Sequence, residues 1–141
     1  MTALHVGLGI AVIAANALAG AWGGVAWLRR SPSVVFWYLL RAAQVVVVMQ
    51  VVLGLILLAR DSRAPDGLHF VYGIGPLVVS LVTEAMRIGA VQQELRDVDD
   101  VEALEPAEQG ALARRVVRRE MGVMTVGALL IVTLALRAAF A

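Results

Sequence analysis

The chain is expected to fold as an all-α four-helix transmembrane bundle, up-down-up-down, with both termini outside (N-out/C-out). Three observations lead there. Hydrophobic residues make up 60% of the 141 and the mean hydropathy is +0.82, whereas a soluble domain is roughly 45–50% apolar. The excess falls in four runs separated by charged or turn-rich segments. Each run comes close to the roughly 20 residues that a helix needs to cross a bilayer. The arginines then set the orientation.

The first run, about 3–28, ends at Arg29-Arg30-Ser31-Pro32. The first charged side chain is Arg29, so the positive region that opens a signal peptide is missing and the run is expected to stay as a mature helix. The second run, about 34–59, ends at Arg60-Asp61-Ser62-Arg63-Ala64-Pro65-Asp66-Gly67. The third covers about 68–90 and the fourth about 121–140. Between them lies the one sizeable polar segment, 91–120, expected to be a cytoplasmic helical hairpin within a single membrane domain, 1–141. Its first part is acidic (Glu94, Asp97, Asp99, Asp100, Glu102, Glu105, Glu108) and its last part basic (Arg114, Arg115, Arg118, Arg119). Pro106 suits a first helical turn, and that helix is expected to continue into the fourth span.

Loops one and three share a side and hold Arg29, Arg30, Arg96, Arg114, Arg115, Arg118 and Arg119, with Arg87 near the edge. The other side has Arg60, Arg63 and Arg137. The positive-inside rule puts the first set in the cytoplasm. All 12 basic residues are arginine. With the many Ala, Val, Gly and Leu, this points to a GC-rich bacterial genome and a multi-pass protein of the bacterial inner (plasma) membrane.

The absence of cysteine removes disulfides, thiolate metal sites, C-x-x-C-H haem attachment and cysteine nucleophiles. No hydrolase, kinase, nucleotide-binding or zinc-protease motif occurs, and Gly73-Ile74-Gly75 lies within an apolar run, where it reads as packing. No feature supports nucleic-acid binding.

One phrase occurs twice and carries both histidines. Leu4-His5-Val6-Gly7-Leu8-Gly9-Ile10 and Leu68-His69-Phe70-Val71-Tyr72-Gly73-Ile74 both read L-H-x-x-x-G-I. Each histidine opens a span that starts outside, so topology alone gives the two one depth. Two imidazoles at one level are the ligand set of a bis-histidine haem b. Gly9 and Gly73, one turn below, would leave room for the ring, with Gly7 and Gly75 removing further bulk. Phe70 and Tyr72 would form walls, and Arg60 and Arg63 would pair with the propionates. A copper or zinc ion on the same histidines is a further reading, with Met1 the only soft side chain near His5. Helix packing and interfacial placement are the bland reading of the same residues.

A second constellation lies deeper. Arg41 and Glu84 are about two turns from the cytoplasmic ends of their spans and are expected to form an intramembrane ion pair, with Arg87 competing at i+3. Asn16, Gln44, Gln50, Ser80, Thr83, Thr125 and Thr133 read as interhelical glue. Trp22, Trp27, Trp37 and Tyr38 read as a cytoplasmic aromatic belt.

The stretch 50–73, with Gln50, Leu53, Gly54, Pro65 and His69, resembles part of heme A synthase. There a Gln and a Leu-Gly in one span precede an outer loop with proline and a histidine opening the next span. The resemblance implies that His69 is a haem ligand, that His5 is its partner, and that the chain is similar in size to one of the family's two tandem bundles. It covers about a sixth of the chain. Thr2-Ala3-Leu4-His5-Val6 carries neither the acid nor the arginine of the family's first histidine motif.

The expected function is a small integral membrane haem protein. Its single haem b would lie near the outer face between the first and third helices. It would serve electron transfer or act as a respiratory-complex accessory or homo-oligomer, without independent catalysis. The alternative is a cofactor-free membrane scaffold or assembly subunit acting through the cytoplasmic hairpin. A transporter is the weakest reading.

Overall fold

The computed structural model describes residues 2–60 and 67–140. Among them are four helices and no strand: α1 (Thr2–Leu28), α2 (Val34–Arg60), α3 (Gly67–Leu95) and α4 (Pro106–Ala139). All four are long and apolar enough to cross a membrane. The protein is an all-α, up-down-up-down, multi-pass bundle, as its composition and four apolar runs predict.

The helix ends follow local chemistry. After α1 the backbone turns left-handed at Arg30, with φ 54°. The Arg30 N–H then donates to the Trp27 carbonyl at 3.1 Å and the Ser31 N–H to the Ala26 carbonyl at 3.0 Å. This is a Schellman stop, and glycine is the usual residue at its left-handed position. Pro32 follows and cannot continue the helix. α4 opens with Pro106 as its first residue, and the Glu105 N–H bonds back to the Glu108 carboxylate at 3.3 Å. Its 34 residues make a rod about 51 Å long. The polar segment expected as a hairpin thus consists of the end of α3, a short loop and the first half of α4.

α4 is the hub. It packs along both α1 and α3; α1 also packs along α2, and α2 meets α3 least. That arrangement leaves α1 and α3 diagonal to each other. The larger buried cluster joins Ala19, Ala26, Phe36, Leu40, Met121, Met124 and Ala128. A smaller one, Val12, Val47 and Ile131, lies nearer mid-bundle. Gly23 is the tightest approach. A Cβ there would strike the Phe36 ring and the Thr125 hydroxyl, so only glycine lets α1 come this close to α2 and α4. The large apolar side chains that remain exposed, such as Ile10, Val45 and Leu81, belong to lipid-facing surfaces.

Most of the polar residues expected as glue divide in two, while the buried Thr125 hydroxyl has no hydrogen-bond partner among the described residues. Asn16 donates to the Val12 carbonyl at 2.9 Å, Thr83 to the Val79 carbonyl at 2.9 Å and Thr133 to the Leu130 carbonyl at 2.7 Å. These bonds stay within one helix, because a short side chain reaches the carbonyl a turn below more easily than a neighbouring helix. Gln44 and Gln50, with longer side chains, do bridge between helices. Of the aromatic residues, Tyr38 is strongly exposed, while Trp37 turns inward against Phe36 with ring centroids 5.2 Å apart.

Candidate functional site

His5 and His69 face each other at one end of the bundle. Their ring centroids are 6.2 Å apart and their planes are inclined by 53°. The two helices that carry them are diagonal partners, so the imidazoles meet across the bundle axis. All four helices contribute around them. α1 brings His5, α2 brings Gln50 and Gly54, α3 brings His69, and α4 brings the Ala138 carbonyl.

Each imidazole is held by one nitrogen. His69 Nδ1 lies 3.2 Å from the Ala138 carbonyl oxygen. A carbonyl only accepts, so Nδ1 carries the proton and the neutral ring keeps a lone pair on Nε2. His5 Nε2 lies 3.3 Å from the Gln50 side-chain amide. The two ends of that amide are nearly isosteric, so it serves either tautomer. His5 Nδ1 and Gln50 Oε1 are both buried without a hydrogen-bond partner. With the amide turned so that its oxygen accepts from His5 Nε2, one of these groups is satisfied and Nδ1 is left as a lone pair. Each ring then has one nitrogen anchored to protein and one available.

The spacing limits what fits. A metal bound about 2 Å from one nitrogen of each ring puts the centroids roughly 6 Å apart, close to the observed separation. Among the described residues no group of three or more His, Cys, Asp or Glu side chains could hold a metal ion. Zinc takes four protein ligands, or three in open sites, so the histidine pair alone is a poor zinc or copper site. A haem iron asks the protein for axial ligands only. An anchored imidazole on either side and an orphaned buried nitrogen on His5 fit that demand.

The surroundings divide the other expected site residues. Gly9 places its open side 3.4 Å from the Gln50 amide nitrogen, on the same face as His5. At Gly7 and Gly73 a Cβ would meet nothing within 4 Å. Gly75 instead faces Leu134 of α4, whose Cδ1 lies 3.2 Å from where a Cβ would stand, so it serves packing. Gly54 stands against His5, with Cε1 3.2 Å from where its Cβ would lie. Tyr72 is half-buried, with the Arg137 guanidinium 5.9 Å from its ring centre. Phe70 was expected as a second wall and is exposed instead. It follows His69 directly, and about 100° of helical rotation turns it outward when the imidazole points in. Arg60 is the last residue of α2, at this same end. Arg63 and Pro65 lie outside the described residues.

The second constellation is assembled more fully than the sequence implies. Arg41 bonds to Glu84, and Gln44 donates to the same carboxylate oxygen at 2.8 Å. Arg87 takes the other oxygen at 2.9 Å and reaches Glu120 of α4 at 3.0 Å. Arg87 therefore does not compete with Arg41. It shares Glu84 and links three helices, α2, α3 and α4. Sequence reading missed Glu120, which stands among arginines at the end of the polar segment. It also missed the Ala138 carbonyl, which has no side-chain signal at all.

No family model, curated protein or solved structure matches this chain.

Proposed function

We propose that the protein is a small b-type haem protein of the membrane, carrying one haem near the outer face between α1 and α3 with His5 and His69 as axial ligands. The observation that carries this reading is the facing histidine pair, 6.2 Å between centroids, each ring anchored through one nitrogen. When bound, haem b supplies a one-electron ferric–ferrous couple. The chain's part is to ligate, orient and exclude water. The Ala138 carbonyl fixes the tautomer of His69 and raises its basicity. Gln50, with its amide oxygen turned toward Nε2, would raise the basicity of His5 in the same way. The half-buried setting of both imidazoles would keep bulk water from the group, with the Tyr72–Arg137 pair nearby on α3 and α4. With His5 and His69 both holding the group, the iron would serve electron transfer and not bind a substrate. Electron transfer, alone or beside a respiratory complex in a bacterial inner membrane, is the activity this supports.

The test is the absorption spectrum of protein purified from haem-sufficient cells. A Soret band with sharp reduced α and β bands is expected, absent in both His5→Ala and His69→Ala. A colourless wild-type protein that takes up no added haemin would sink the reading.

A further inference from the structure

We propose that the recess between the α1–α2 turn and the first half of α4 binds the phosphate of an anionic phospholipid headgroup. It lies at the end of the bundle opposite the histidines and is independent of them. Its lining includes Trp27, Arg30, Arg114, Arg118 and Met121. The space amounts to ≈ 180 Å³ counting the part open to solvent, and its depth has room for about one water-sized group. A soluble metabolite is not engulfed by such a shape. A phosphate seats at its mouth, with the rest of its molecule outside.

Charge selects the ligand. Four arginines stand within two turns of α4. Arg115 and Arg119 both pair with Glu94 of α3, at 3.4 and 2.9 Å. Arg114 and Arg118, one helical turn apart on the neighbouring face, make no ion pair among the described residues, and neither does Arg30. The recess thus gathers three uncompensated guanidiniums. Arg30 stands where the backbone is left-handed and glycine is usual; keeping an arginine there puts a charge at the recess that the turn itself does not need.

Depth selects the source. Met121 is buried in the core, and from there α4 runs on as apolar span; on its other side the helix is polar. The recess therefore straddles the boundary of the apolar zone, where phospholipid phosphates lie. The Trp27 indole covers Gly122, 3.0 Å from where a Cβ would lie, and tryptophan is enriched at the headgroup level. Basic pockets between spans on the cytoplasmic side suit anionic headgroups.

The experiment is native mass spectrometry of the full-length protein in detergent, titrated with phosphatidylglycerol or phosphatidylcholine. Wild type is expected to prefer the anionic lipid, and each recess arginine to carry about fivefold of that preference. Arg114→Gln/Arg118→Gln should lose most of it. Arg30→Gly should lose its share while melting no lower than wild type in phosphatidylcholine, since glycine suits that backbone; a role in the turn alone would leave the preference intact. Arg96→Gln removes one charge elsewhere, as Arg30→Gly does at the recess, and should leave the preference intact. Equal loss in that control, or no preference in wild type, would overturn the proposal. Full displacement of the lipid by millimolar inorganic phosphate would also overturn it, by assigning the recess to a soluble anion.

Discussion

His5 and His69 are held to different degrees. His69 is anchored by a backbone carbonyl, which no side-chain substitution removes. His5 depends on the Gln50 amide and on contact with Gly54. Gln50→Leu is therefore expected to retain haem but shift its midpoint potential positive in a redox titration, because an imidazole without its acceptor donates less to the ferric state. An unchanged potential would remove Gln50 from the site. The deeper carboxylate predicts a different effect. Glu84 serves Gln44 and two arginines, so Glu84→Gln should leave Arg41 without a carboxylate while Arg87 keeps Glu120. Because Arg41 is half exposed, the cost is about 1–2 kcal/mol, read as a lower melting temperature in detergent with the haem spectrum intact. At this scale the sequence was legible where rare side chains come together. Two histidines in 141 residues and charges inside apolar runs draw attention by themselves. Phe70 was misread because its neighbour decides which way it faces, and the Ala138 carbonyl was invisible because every residue has one.

Helix existence was legible because apolar runs of bilayer length have few other solutions. Helix arrangement was not. Nothing in the runs says that α4 is the hub or that α1 and α3 are diagonal; that follows from shape, above all from glycines whose role depends on what lies opposite. Gly23 and Gly7 look alike in sequence, yet Gly23 sits in contact with Phe36 and Thr125 while Gly7 faces open space. Gly23→Ala should force α1 away from its neighbours and cost about 1–3 kcal/mol. Gly7→Ala should melt within about half a kcal/mol of wild type. Equal melting of the two variants would mean that α1 does not pack as described.

For the molecule as a whole, orientation rests on arginine count. The chain has no cysteine, so single cysteines can be introduced without clearing a background. A cysteine near residue 99 should react with a membrane-impermeant maleimide only from the cytoplasmic side, and one at position 140 only from outside; the reverse pattern would invert the topology. The distribution of core over the molecule has a consequence of its own. In α1 no buried apolar residue precedes Val12, in α3 none precedes Pro76, and in α4 none follows Ile131. Apolar burial is thus concentrated toward the α1–α2 turn, while nearer the histidines only Val51 and Leu53 of α2 belong to it, like tongs with a stiff hinge. The jaws can part while the grip holds, because opening them disturbs few apolar contacts. On the haem reading proposed above, a flat ring would enter there sideways after the chain has folded, and its two histidine contacts would fasten the ends that the apolar core leaves lightly closed.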